Sequence, residues 1–302
     1  MLVTVLLFAL ATIALAYATL LVRHASARGE GSPRAEAVVL GAATNFFDTL
    51  GIGSFAPTTA WLRLRRLVAD DSLPATLNCG HALPTIAQAL IFIHLVRVDP
   101  WLLAGCIAAA VAGALLGAPL VLRLPVRVVQ GAVGFALLVA AALYAMANLG
   151  WLPVGGDALA LPPTLALAAV AIHLLLGALM AFGIGLYAPS LIALSLLGLN
   201  PTAAFPIMMG ACAFLMPACG VRFLRSTRVD LRVVLGLALG GIPAVLVAAY
   251  VVKSLPLTGL RWGVVVVVIY AAAVLLNAAL SRNGGADTAA AAASSARRED
   301  AM

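Results

Sequence analysis

Residues 51–57 read GIGSFAP and residues 183–189 read GIGLYAP, two copies of one pattern in equally apolar surroundings. Two glycines one residue apart, an aromatic two places on and a proline without a backbone N–H make a poor continuous helix. Within a helix, glycine costs about 1 kcal/mol and proline about 3 kcal/mol relative to alanine. Each copy therefore predicts a helix break. In lipid, a broken helix is tolerated only where the freed backbone groups face protein or a wet cavity. Two such breaks at matching places in two half-chains point to a transporter's binding site, where half-helix N-termini turn N–H groups and positive dipole ends toward an anion.

The lipid setting follows from composition. The chain has 302 residues, 64% of them hydrophobic and only 10% charged, with long apolar runs between short polar loops. This is the make-up of a polytopic, all-α membrane protein. A net charge of +7 would suggest nucleic acid in a soluble protein, but here the basic residues fall in loops between apolar runs, where they set topology and meet anionic headgroups. No nucleic-acid partner is expected. Cys79, Cys106, Cys212 and Cys219 lie in or beside apolar segments without CxxC spacing, so neither a zinc site nor a disulfide framework is read from them.

The run from Leu2 to Val22 has no Lys or Arg before it and exceeds a signal peptide's apolar region, so it reads as a retained membrane helix with the Arg23, Arg28, Arg34 flank in the cytoplasm. Further spans are expected near 37–60, 74–96, 101–122, 127–148, 164–198 (long and broken), 202–224, 232–252 and 261–280, about nine in all. Strict alternation of nine crossings puts eleven Lys and Arg residues on one side and seven on the other, a shallow bias whose richer side is taken as cytoplasmic. The tail, 281–302, rich in Ala and Ser, reads as disordered.

The repeat extends beyond the glycines. Arg97-Val98-Asp99 is echoed by Arg228-Val229-Asp230, Gly105 by Gly236 and Leu124-Pro125 by Leu255-Pro256, at an offset of about 131. The chain therefore divides into an N-terminal helix and loop (1–36), a first four-helix repeat (37–148), a linker (149–163), a second four-helix repeat (164–280) and the tail. Four full crossings per unit would make the repeats parallel, and a re-entrant element would change that parity.

Taken together, Gly51, Gly53 and Pro57, Gly183, Gly185 and Pro189, and the pairs Val98-Asp99 and Val229-Asp230 resemble the sulfite exporter TauE/SafE-like permeases, a group of sulfonate uptake permeases. The resemblance covers residues 38–280. It implies duplicated four-helix units and transport of sulfur oxyanions or organosulfonates across the cytoplasmic membrane. The chain departs from the family pattern at Ser54-Phe55 and Leu186-Tyr187, where further glycines are usual; the larger side chains narrow the space in which backbone can close on an anion.

Candidate anion-binding groups are Gly51, Gly53 and Ser54 of the first break, Gly183, Gly185 and Leu186 of the second, and Asn78 in the polar stretch NCGHALP. Asp48 and His81 are the candidates for a coupling proton. A carboxylate near the bilayer centre costs at least about 2.5–3.5 kcal/mol, so Asp48 needs a cavity or a partner. Asn45, Thr49 and Gln88 read as repair of local helix hydrogen bonds. Asp99 and Asp230 read as loop ion pairs or helix caps, and Gly113, Gly117, Gly236, Gly240 and Gly241 as helix-packing stripes. Neither a metal-ligand cluster nor a nucleophile with a nearby base stands at helical spacing, so no cofactor and no enzyme activity is expected. The expected function is alternating-access transport of a small anion. The alternatives are a proton-coupled carrier of a neutral or cationic solute with Asp48 as counter-ion, and a non-transporting membrane scaffold.

Overall fold

The computed structural model of the chain describes residues 1–51, 53–69, 72–121, 156–180, 183–226 and 229–254, with single residues and short runs between 131 and 151 and between 262 and 280. The long helices are α1 (Leu2–Arg28), α4 (Leu73–Leu95), α5 (Pro100–Val121), α6 (Pro163–Met180), α8 (Pro201–Ser226) and α9 (Leu231–Ser254). Three shorter ones are α2 (Ala35–Thr49), α3 (Phe55–Leu64) and α7 (Tyr187–Leu196). Described residues between 131 and 146 and between 262 and 280 are also helical. Among the described residues there is no strand, only one bridge between Ala158 and Leu199. Five helices, α1, α4, α6, α8 and α9, are long and apolar enough to cross a membrane. The chain is an all-α protein with the build of a multi-pass membrane protein.

Helix starts follow local chemistry. Proline opens α5, α6 and α8, a place where its missing N–H removes no intrahelical bond. Asp99 accepts from the Leu102 N–H at 2.7 Å ahead of α5, and Asp230 accepts from the Arg232 and Val233 N–H groups at 3.0 and 3.2 Å ahead of α9. The repeated aspartates are thus helix caps.

The glycine breaks reverse the chain, so neither 37–60 nor 164–198 runs on as one continuous helix. Gly51 and Gly53 have φ of 95° and 86°, and Gly183 has φ of 83°, values that only glycine adopts freely. The chain therefore turns back: Glu36 at the start of α2 accepts from Arg65 Nε at 2.8 Å and Trp61 Nε1 at 3.0 Å, both at the end of α3. The second hairpin closes likewise. Asn200, beyond α7, donates its N–H to the carbonyl of Ala158, ahead of α6, at 2.8 Å, and His173 of α6 meets Ser190 of α7 at 2.9 Å. Ten residues of α3 or α7 extend about 15 Å, half the hydrocarbon thickness of a bilayer.

The hairpins enter from opposite ends. Arg34 N–H donates to the Arg232 carbonyl at 3.0 Å, and Arg28 reaches the carbonyls of Leu224 and Val229 at 3.5 and 3.4 Å, so the first hairpin shares its end with the exit of α8 and the entry of α9. Asp99 N–H donates to the Leu159 carbonyl at 2.9 Å, which places the second hairpin at the exit of α4. Among the described residues, α4 and the start of α5 therefore run opposite to α8 and the start of α9, as in inverted repeats.

Packing is reciprocal. α2 lies along α9, α6 along α5, and α4 against α8, so the first arm of each unit rests on the other unit's long helix. Glycine permits the closest approaches: a Cβ on Gly240 would stand 1.9 Å from the Val38 carbonyl oxygen, and one on Gly113 would stand 1.9 Å from that of Leu174. The stripes at Gly113, Gly236, Gly240 and Gly241 all serve such contacts; the side-chain surroundings of position 117 lie outside the described residues. So do Leu124-Pro125, Leu255-Pro256, Arg228 and the tail 281–302.

Candidate functional site

The two hairpin tips meet in the middle of the bundle. A Cβ on Gly53 would come 3.9 Å from Cβ of Tyr187, and one on Gly185 would come 3.6 Å from Cβ of Phe55. Each tip thus lies over the aromatic that opens the other's second arm. Between them is a small cavity bounded by Gly53, Ser54 and Asp48 from one hairpin and by Gly185, Leu186 and Tyr187 from the other, with Thr85 of α4 and Met216 of α8 closing the walls. Its free volume, about 10 Å³, is room for roughly one water molecule.

Asp48 decides the electrostatics of this cavity. It is buried, 2% exposed, one turn before Gly51, and the reversal at the tip brings its carboxylate to the start of α3. Oδ1 accepts from the Ser54 N–H at 2.5 Å. Oδ2 accepts from Gln88 Nε2 at 2.9 Å, and the same amide donates to Thr49 Oγ1 at 2.9 Å. Gln88 Oε1 in turn accepts from the Tyr187 hydroxyl. A continuous line of hydrogen bonds therefore runs from α3, through Asp48 and Gln88 of α4, to α7 of the other unit. The half-helix N–H of Ser54 is filled from within the chain, by a carboxylate in the position an anionic ligand would take.

The second tip lacks that carboxylate. Met180 stands 132 places after Asp48 and also borders the cavity, so the second hairpin has a thioether where the first has a carboxyl group. Among the described residues, neither lysine nor arginine borders the cavity.

Gly51 and Gly183 form the turns behind the cavity, Gly51 against Leu191 and Phe205, Gly183 against Leu77 and Pro74. His81 stands aside from the cavity. Asn45 donates its amide to the Gly41 carbonyl at 2.7 Å, leaving Oδ1 to accept from His81 Nδ1–H at 3.1 Å. Nε2 then accepts from the Thr58 hydroxyl at 3.0 Å. Both ring nitrogens of a neutral imidazole are thereby used in tying α2, α3 and α4 together. His173 has the matching place in the second hairpin: Nδ1–H donates to the Ala169 carbonyl at 2.8 Å and Nε2 accepts from Ser190. Asn78 lies a turn nearer the start of α4, with its amide donating to the Pro74 carbonyl at 2.8 Å and Oδ1 without a hydrogen-bond partner among the described residues; it does not border the cavity. At the arginine-rich end, a hydrogen bond from Arg65 holds the half-buried Glu36 carboxyl below the usual carboxylate range.

Gln88 and Tyr187 join the site although the sequence marked neither as functional. Gln88, four residues after Pro84, reads as a partner for a freed carbonyl, yet its amide reaches across to α2 and α7. Its signal was a full amide in an apolar run; Tyr187's was a hydroxyl where the first break has Phe55. Comparison of the chain with models of protein families, with characterised proteins and with solved structures finds no match.

Proposed function

We propose that this chain is a membrane permease that moves a small anion together with a proton, by alternating access through the cavity between the two hairpin tips. The observation that carries it is the asymmetry of two facing half-helix starts, one occupied by Asp48 and the other open to the cavity. An anion seated against the backbone N–H groups of Gly185 and Leu186 is held by the dipole of α7. It would repel an ionised Asp48 across a space of one water, so uptake of a proton by Asp48 is the condition for its entry. Gly53 and Ser54 then turn toward the shared ligand as their internal carboxylate is neutralised. Entry of the hairpins from opposite ends supplies two symmetry-related gates. The sulfur oxyanion or sulfonate class is supported by the motif resemblance alone.

The test is uptake of radiolabelled sulfite, thiosulfate, sulfate and a short alkylsulfonate into proteoliposomes, with and without an inward proton gradient. Flux of one anion, raised by the gradient and abolished by Gly53→Leu with Gly185→Leu, is the expected result. No flux above empty liposomes from folded protein rejects these substrates. The carboxylate at the cavity also favours a second reading, a cation or neutral carrier with Asp48 as counter-ion; loss of solute binding itself in Asp48→Asn would select it. A non-transporting scaffold has no use for a buried carboxylate beside a cavity, which counts against that reading.

A further inference from the structure

The line Asp48–Gln88–Tyr187 has a property that neither end has alone. Gln88 offers one acceptor and one donor group, and their directions are those an ionised carboxylate requires: Nε2 points at Asp48 Oδ2 and Thr49, and Oε1 points at Tyr187. The phenol therefore donates to Gln88, which does not border the cavity, while Thr85, which does, also hydrogen-bonds the phenol. Thr49 cannot relax this, because its own hydroxyl proton goes to the Asn45 carbonyl at 2.8 Å. The titratable groups facing the carboxylate are Tyr187 of α7 and Cys212 of α8; His81 of α4 faces Asn45 and Thr58 instead, and α2 and α3 bring no further ionisable group to it among the described residues.

We infer that Gln88 is a hydrogen-bond switch that makes the Tyr187 hydroxyl available to an anion only when Asp48 is protonated. This rests on Asp48 being the coupling carboxyl of the proposed permease. A proton taken from the aqueous phase binds Oδ2, which becomes a donor. The Gln88 amide turns over, Oε1 accepting from Asp48 and Nε2 donating to the Tyr187 oxygen. Tyr187 keeps its proton, now directed to the cavity, where it becomes a ligand donor beside the start of α7. One proton is bound and no covalent bond breaks; the hydrogen bond from Nε2 to Thr49 Oγ1 is lost with the turn. The arrangement adds a donor for the anion at the same time as it removes the opposing charge, and Tyr187 belongs to the repeat that lacks a carboxylate.

The experiment is infrared difference spectroscopy of the full chain in lipid vesicles during an acid titration without substrate. In the wild type, a carboxylic acid carbonyl band, absent in Asp48→Asn, is expected to rise with the same midpoint as a shift in the tyrosine C–OH band, absent in Tyr187→Phe. Asp48→Asn, uncharged at every pH, should hold the tyrosine band at its acid position throughout. In Gln88→Leu the carboxyl still titrates while the tyrosine band stays still. A tyrosine band that ignores the Asp48 titration in the wild type, or follows it in Gln88→Leu, overturns the switch; should Gln88→Leu not fold, the wild-type and Asp48→Asn arms decide alone. Tyr187→Phe should also weaken anion binding about tenfold, the loss of one hydrogen bond, and unchanged affinity rejects Tyr187 as a donor. Coupled bands without flux of any solute would reject the permease and retain the switch.

Discussion

Asp48 and His81 are both buried polar residues near the first break, and their surroundings give them opposite parts. Asp48 faces a cavity and a neighbour that can exchange donor for acceptor. His81 is enclosed by two fixed partners, Asn45 and Thr58. Replacing His81 by Leu strands both partners, at a cost of about 1–3 kcal/mol for each unsatisfied buried group; a lower thermal midpoint with an unchanged pH profile of flux is expected. A shifted pH profile in that variant would give the coupling role back to the histidine. Asp48→Asn should do the reverse. Its fold survives, and anion binding, measured by isothermal titration from acid to alkaline pH, becomes independent of pH because the repelling charge never forms. Binding that still falls as pH rises would place the coupling group elsewhere.

At the scale of elements, the hairpins stay in position because helices approach to backbone contact. Any side chain at Gly240 must displace the Val38 carbonyl of α2, since its Cβ would lie 1.9 Å from that oxygen. Overpacking of this sort costs about 1–3 kcal/mol, and Gly240→Val is expected to lower the thermal midpoint of the detergent-solubilised protein and to loosen the first hairpin against α9. Gly31, whose Cβ would meet nothing within 4 Å, is the control: Gly31→Ala should leave the midpoint unchanged. Equal effects of the two would show that α2 does not depend on this contact.

At the scale of the molecule, turning the breaks into hairpins redistributes charge. Arg23, Arg28, Arg34, Arg63, Arg65, Arg66, Arg222, Arg225 and Arg232 gather at one end of the bundle, with Arg97 and Lys253 at the other. Among the described residues these lysines and arginines thus divide nine to two, the bias expected when the arginine-rich end is cytoplasmic. Single cysteines at Arg28, Arg65 and Arg97 in a cysteine-free background should separate accordingly: a membrane-impermeant maleimide added to whole cells labels position 97 and spares 28 and 65. Labelling of 65 with 97 would restore a full crossing between residues 37 and 64.

Composition, apolar run length and the duplicated GIG pattern were enough to indicate an all-α chain with several membrane-length apolar helices and two glycine breaks, because burial in lipid imposes those features locally, residue by residue. Asp48, Gly53, Ser54, Gly185 and Leu186, which border one cavity, stood out in the sequence for the same reason: a charge or a glycine in an apolar run is conspicuous wherever the chain goes. The sense of each break was not legible. Positive φ at Gly51, Gly53 and Gly183 permits a kink or a reversal, and only the packing of α2 on α9 and α6 on α5 selects reversal and sorts the arginines. Nor could spacing along the chain reveal that the Ser54 N–H holds Asp48, or that Gln88 joins residues 48 and 187. The Ser54 bond spans 6 residues and those of Gln88 span 40 and 99, and the last two exist because two hairpins from opposite ends stop at the same depth.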